Sequence, residues 1–220
     1  GDVEVTCSLK AAPKLGSVRG TVVDDRGPVS PTIFLSGTES REITVGADGT
    51  FAIEGLAAGP YEARVDSKDH FVQNLSFIVD KGTATTLAIS LRARPDDAAV
   101  TVTDTAIQLK RQINFATNST EINPNSFPLL EEIADVLLRT PEIRSVEIQG
   151  HTDNLGKPSH NKDLSASRAE AVRTWLVEHG VDGSRLTSQG YGMERPLVPN
   201  ITSRNRARNR RVEFVITSRN

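Results

Sequence analysis

The hydrophobic period of this chain changes once, near residue 95, and that change decides what it can fold into. Before about Pro95 apolar residues alternate with polar ones over short runs broken by turn residues, and after about residue 100 longer stretches recur with the spacing of a helix face. A single sheet or a single helical bundle cannot satisfy both patterns, so two domains are expected. The length of 220 residues suits that division, at roughly 100–200 residues per domain. The polar, proline-interrupted run Arg92-Ala93-Arg94-Pro95-Asp96-Asp97 marks the boundary, and residues 93–104 are read as a linker.

In the first half, Val18, Gly20 and Val22 alternate with polar neighbours until Asp24-Asp25-Arg26-Gly27-Pro28 breaks the run. Ile33 to Leu35 and Ile43 to Val45 follow, the latter leading into Gly46-Ala47-Asp48-Gly49, where Asp-Gly suits the positive φ of a hairpin turn. Phe51 and Ile53, Tyr61 to Val65, Leu75 to Val79 and Leu87 to Leu91 complete about seven strands. Strands and turns at this spacing predict an all-β antiparallel sandwich over residues 14–92. Its one histidine, His70, beside Asp69, reads as a solvated loop residue, and no Ser/His pair is visible.

In the second half, Ile107 to Phe115 reads as a strand. Pro124 and Asn125 open a helix that presents Phe127, Leu130, Ile133, Ala134, Leu137 and Leu138 on one face, and Thr140-Pro141 stops it. Ser145 to Gln149 is a second strand, followed by a loop from Gly150 to about Lys162. A second helix runs from Asp163 or Leu164 to a glycine cap at Gly180. Leu186 to Tyr191 and Arg211 to Thr217 are the last strands. The β-α-β-α-β-β order over residues 105–218 predicts an α+β domain, one mixed sheet with helices packed on it.

Charge excludes a polyanion-coating protein: 26 basic residues face 28 acidic ones. The balance is uneven, 10 − 14 = −4 over residues 1–100 and 16 − 14 = +2 over residues 101–220. The single cysteine, Cys7, forbids an internal disulfide and a multi-cysteine zinc site, and the preceding Glu4-Val5-Thr6 lacks the small-residue pattern of a lipobox. No apolar run approaches the ~18 residues of a membrane span, so any membrane association is expected through parts outside this chain. A chain that begins at Gly1 without an initiator Met reads as a mature product or an excised fragment.

One residue of the second helix sits where physics resists it. At 100° per residue Arg168 falls within about 40° of Leu164, Val172 and Trp175, the face that packs on the sheet. A guanidinium there must snorkel, find a structural salt bridge, or meet an anion that arrives with a ligand. Its nearest candidate partner is Asp153, in Gly150-His151-Thr152-Asp153-Asn154-Leu155-Gly156 after the second strand, the end of a sheet where ligand groups gather. A carboxylate and a guanidinium on adjacent elements can grip a zwitterion, ammonium on one and carboxylate on the other, which suits an amino-acid-like head group.

Two resemblances join these readings. Gly16-Ser17-Val18-Arg19-Gly20, Asp48-Gly49-Thr50-Phe51 and Gly55-Leu56-Ala57-Ala58-Gly59-Pro60-Tyr61 resemble the carboxypeptidase regulatory-like (transthyretin-like) sandwich, which implies a spacer or adhesive module. Phe115-Ala116-Thr117-Asn118-Ser119, Gly150-His151-Thr152-Asp153, the run Asn161 to Val172 with its Asn-x-x-Leu-Ser-x-x-Arg-Ala-x-x-Val pattern, Gly190-Tyr191-Gly192 with Pro196, and Asn209-Arg210-Arg211-Val212-Glu213 resemble the OmpA C-terminal-like domain. That family includes peptidoglycan-associated lipoproteins and flagellar stator subunits.

The resemblance implies non-covalent peptidoglycan binding, with Asp153 and Arg168 holding the zwitterionic end of diaminopimelate in the stem peptide. It makes Asn118 and Asn161 further peptide contacts, sets Thr152 and Leu164 at the pocket border, and adds Arg211, a role neighbouring Arg210 could fill instead. It also implies a non-enzymatic, cofactor-free wall anchor in the periplasm of a Gram-negative bacterium, associated with the outer membrane. Whether the chain dimerises stays open. Three rivals remain: an envelope scaffold or protein-interaction module without a peptidoglycan ligand, a metal hydrolase built on His151, Asp153 and His160, and nucleic-acid binding through Arg204, Arg206, Arg208, Arg210 and Arg211. The last is opposed by the domain's small net charge and the lack of interleaved aromatics.

Overall fold

Residues 15–220 are described by the structure, a computed structural model, and Cys7 lies outside them. The chain separates into two compact units, the first ending at Ala93 and the second starting at Arg94.

The first unit holds β1 (Leu15–Asp24), β2 (Gly27–Pro28), β3 (Thr32–Gly37), β4 (Arg41–Thr44), β5 (Thr50–Ala57), β6 (Gly59–Asp66), β7 (Gln73–Val79) and β8 (Ala84–Ser90). One sheet has β1 at its centre, flanked by β2 and β5 on one side and β8 on the other; the second sheet runs β4-β3-β6-β7. Alternation sends Val18, Val22, Phe51, Leu56 and Ile89 from the first sheet and Ile33, Leu35, Tyr61, Val65 and Val79 from the second into one shared core.

Two expectations need correction here. The sandwich is not wholly antiparallel, since β8 lies parallel to β1 from Ser17↔Ala84 to Val23↔Ser90. Period-two patterning sets which face is buried but carries no strand direction, so it could not show this. Asp48-Gly49 does form a turn, with Gly49 at φ 76°, yet β4 and β5 on either side of it belong to different sheets, so it is no hairpin.

His70 is not solvated. It is 5% exposed, with Nδ1 3.0 Å from Ser67 Oγ and Nε2 3.1 Å from Asp24 Oδ2. That contact, followed by the backbone N–H of Arg26, holds the Asp24 carboxyl well below the usual carboxylate range. A depressed folded-state pKa stabilises above the unfolded value and is lost as pH falls through the folded one. The first unit is therefore expected to lose stability as pH drops below about 4, and Asp24→Asn should flatten that acid slope. Thermal unfolding of both proteins between pH 5 and pH 2 checks this; identical slopes would remove Asp24 from the account.

The second unit holds β9 (Val100–Val102), β10 (Ala106–Leu109), α1 (Phe127–Arg139), β11 (Ile143–His151), α2 (Pro158–Glu178), β12 (Leu186–Gly192), α3 (Ser203–Asn209) and β13 (Arg211–Arg219). Its mixed sheet runs β12-β11-β13-β10-β9, with β11 and β12 parallel and the other pairs antiparallel. Leu130, Ile133 and Leu137 of α1 and Ala169, Val172 and Leu176 of α2 share a core with Val146, Ile148, Val212 and Phe214. Arg185 fastens the end of α1, donating to the carbonyls of Leu137 (2.9 Å) and Thr140 (3.0 Å), which a helix C-terminus otherwise leaves unmatched, and to that of Ile143 (2.8 Å) at the start of β11.

Residues 93–104 are not linker throughout. Ala99 and Val100 are buried in this core and β9 pairs with β10, which the proline and aspartates just upstream masked. The strand expected from Ile107 to Phe115 is β10, which ends at Leu109; Phe115 makes only an isolated bridge to Ile122. α2 begins at Pro158, ahead of the expected start at Asp163 or Leu164. Its first turn, Ser159 to Lys162, is polar and shows no apolar period, but Pro158 occupies the N-terminal position proline favours.

Two glycines bring α2 onto the sheet. A Cβ on Gly150 would collide with the Ser165 carbonyl, and one on Gly190 with the Ala166 backbone. The Ser165 hydroxyl uses the same proximity, accepting from the Gly192 amide at 2.9 Å.

Candidate functional site

A cleft of about 790 Å³ opens at the end of β11. One wall is the segment after β10 that carries Phe115 and Asn118; the others are the loop of Thr152 and Asp153, the start of α2 with Asn161, Leu164 and Arg168, and Arg210 after α3. Six of the seven expected site residues, Asp153, Arg168, Asn118, Asn161, Thr152 and Leu164, thus meet at one cleft. Arg211 does not line it. Val212 and Phe214 face the core, so alternation turns Arg211 and Glu213 to the opposite face, and Arg210, which precedes the strand, reaches the cleft instead.

Asp153 is 6% exposed, and each of its oxygens accepts one hydrogen bond. Oδ1 accepts from the Leu155 amide at 2.9 Å, and Oδ2 accepts from Arg210 Nη1 at 2.7 Å. Arg168 lacks such a match. It donates from Nε to the Ser119 carbonyl (2.9 Å) and from Nη2 toward the Ala116 carbonyl (3.5 Å), and it stacks over the Phe115 ring at 4.9 Å. Among the described residues it forms no ion pair, so the expected direct partnership with Asp153 is replaced by the Arg210–Asp153 pair. Burial foremost, then the neighbouring charge of Arg210, lowers the Arg168 pKa. Two guanidiniums against one carboxylate leave the cleft with an excess positive charge, held on a face that already resists it.

The asparagines shape backbone. Asn161, 4% exposed, donates from Nδ2 to the carbonyls of Leu155 (2.9 Å) and Asp153 (3.3 Å), which fixes the loop that aims the carboxylate. Asn118 is exposed and, at φ 49°, is the one non-glycine with positive φ among the described residues; asparagine tolerates that region better than most. It closes the turn in which the Ser119 amide donates to the Ala116 carbonyl at 3.1 Å, and the carbonyls of these same two residues receive Arg168. Thr152 is buried, its amide donating to the Gly192 carbonyl at 2.8 Å. Asn209 has no exposed surface and accepts from the Leu197 and Val198 amides while donating to the Val198 carbonyl, pinning the segment that delivers Arg210.

The metal and nucleic-acid readings find little support in the geometry. His151 is buried, stacked on Tyr191 at 5.5 Å and 3.5 Å from Glu213, whereas His160 is exposed at the cleft. Among the described residues no three His, Cys, Asp or Glu cluster as a metal site would require. His151 first, and Arg211 against the opposing effect of burial, hold the Glu213 carboxyl down to about 2. Of the arginine run, Arg210 is committed to Asp153 and Arg211 to Glu213 at 2.7 Å each, and Arg206 donates to the Asn200 and Ile201 carbonyls. Three of the five are spent on the fold itself.

Comparison with known proteins agrees with the motif reading of this unit. Residues 114–210 match the OmpA family model. Outer membrane porin F of Pseudomonas fluorescens is 38% identical over 107 residues, which are 49% of this chain and 32% of that protein. Peptidoglycan-binding protein ArfA of Mycobacterium tuberculosis is 39% identical over 104 residues, 47% of this chain and 32% of that protein. The chain thus spans about a third of the length of these relatives. Among solved structures, the peptidoglycan-associated lipoprotein from Burkholderia pseudomallei has 31% identity and a TM-score of 0.45, covering 49% of this chain and 91% of that one.

Proposed function

Taking residues 114–210 as a segment of the OmpA family, we propose that the second unit binds peptidoglycan non-covalently and anchors an envelope protein to the cell wall. The observation that carries this is Arg168, a half-buried guanidinium with only carbonyl acceptors, facing the same cleft as Asp153. A carboxylate is the group that would satisfy it, bidentately. An ammonium beside that carboxylate would then share Asp153, whose oxygens keep acceptor capacity beyond the Leu155 amide and Arg210. The zwitterionic end of a diaminopimelate side chain in the stem peptide carries both groups. A lysine at the same position ends in ammonium alone and leaves Arg168 unmatched. Binding makes and breaks no covalent bond.

The setting that follows is the periplasm of a Gram-negative bacterium, with the first unit as a transthyretin-like spacer or docking module. Among the described residues no helix is long and apolar enough to cross a membrane.

The test is sedimentation with purified sacculi, in competition with soluble stem peptides. The chain is expected to co-sediment, and a stem tripeptide ending in diaminopimelate should release it at concentrations at least about tenfold below its lysine counterpart, a difference of about 1.4 kcal/mol. Equal competition would leave wall binding but remove the diaminopimelate reading. No co-sedimentation of folded protein would favour the scaffold alternative.

A further inference from the structure

The segment between β12 and α3 displays apolar side chains to water and is held rigidly while doing so. Ile201 is 80% exposed and Leu197, four residues earlier, 54%. Single exposed apolar residues are ordinary, but a loose loop can turn them inward, and this one cannot. Asn209, with no exposed surface, accepts from the amides of Leu197 (2.9 Å) and Val198 (3.1 Å) and donates to the Val198 carbonyl and Asn200 Oδ1, both at 2.8 Å. Asn205 donates to the Pro199 carbonyl at 2.8 Å, and Arg206 to the carbonyls of Asn200 and Ile201. Pro196 and Pro199 stiffen the same stretch. The ordering entropy of a contact through Leu197 and Ile201 is thus already lost in the free protein.

Charge supplies the second, independent observation. Residues 195–210 contain five arginines and no aspartate or glutamate. Arg206 and Arg210 are engaged within the fold, by the loop carbonyls and by Asp153. Arg204 and Arg208 are the two members of the arginine run that the fold does not use. Both are exposed, they stand one turn apart on α3, and among the described residues neither forms an ion pair. Ile201 lies two residues before α3 begins, so the apolar tip and the basic helix face are neighbours along the chain.

We propose that this loop and α3 dock on an anionic lipid surface, with Leu197 and Ile201 entering the boundary between head groups and acyl chains and Arg204 and Arg208 meeting lipid phosphates. Short apolar insertion beside basic side chains is how a segment lies on a membrane without crossing it. A protein partner fits less well. Protein interfaces are anchored by aromatic residues in a buried centre, whereas residues 195–210 hold no aromatic side chain and display their apolar residues on a rigid loop. The sequence led to the expectation that membrane association lies outside this chain because it holds no span; a surface contact needs none. This inference does not depend on what the cleft binds.

Flotation of the full chain with lipid vesicles gives the test. Vesicles of phosphatidylcholine mixed with phosphatidylglycerol should bind at least about tenfold more tightly than phosphatidylcholine alone, and added salt should shrink that difference. The double variant Arg204→Glu, Arg208→Glu should lose the preference for the mixed vesicles. Ile201→Ser keeps every charge and should still weaken binding by about fivefold or more, through lost insertion. Trp175 fluorescence during urea unfolding confirms that each variant is folded. Equal binding to both vesicles, or binding to neither, would overturn the proposal. So would wild-type binding in Ile201→Ser, which would leave attraction without insertion. A chain that ignores vesicles but binds soluble polyglutamate would assign the patch to an acidic protein and equally overturn the lipid reading. No peptidoglycan enters these measurements, so their failure is separable from failure of wall binding.

Discussion

Gly150→Ala is expected to destabilise the second unit by about 3 kcal/mol or more, enough to leave a marginal domain largely unfolded at 37 °C. The added methyl would meet not a mobile side chain but the carbonyl of Ser165, in the middle of α2. Relief requires lifting the helix off the sheet, which opens the contacts of Ala169, Val172 and Leu176 with the strands. Gly190→Ala presses on the Ala166 backbone and should act in the same direction. The sole tryptophan, Trp175, lies on α2, so its fluorescence during urea unfolding reports this unit. A loss smaller than about 1 kcal/mol would mean that the helix can shift cheaply and that the close approach is not required.

Arg168→Ala should weaken binding to sacculi by about 100-fold, near 2.7 kcal/mol, at the upper part of what a hydrogen bond to a charged group contributes. The variant loses a bidentate carboxylate contact inside a partly buried cleft, where water competes poorly. Arg168→Lys keeps the charge but not the fork and should recover only part of the affinity. Stability should move much less. The variant forfeits the bonds to the Ser119 and Ala116 carbonyls but is freed from burying a charge beside Arg210. Sedimentation across a protein titration measures the first effect and thermal unfolding the second. Wild-type affinity in Arg168→Ala would refute the clamp.

The wheel position of Arg168 was legible in the sequence because helix periodicity makes a charge on an apolar stripe conspicuous. The cleft's other arginine was not, although the means existed: apolar Val212 and Phe214 set the phase of β13, and that phase turns Arg211 away. α2 began earlier than expected because a helix turn facing water carries no apolar signal, leaving only Pro158 to announce it. β9 was hidden by its shortness, three residues behind a proline-bearing stretch. Long-range partners were beyond reach in principle. Nothing local links Asp24 to His70, 46 residues on, or tells β8 to run alongside β1 in the same direction.

The contact of Gly150 with Ser165 has a consequence for measurement at the cleft. Asp153 lies three residues beyond Gly150, and Arg168 three residues beyond Ser165. The two charges are therefore the tips of a caliper whose arms cross at a backbone-to-backbone joint. Side-chain repacking elsewhere in the core can change how firmly the instrument is held without changing its gape. On the proposed reading, the span of head group the cleft can grip is tied to a joint that closes only because Gly150 carries no methyl group.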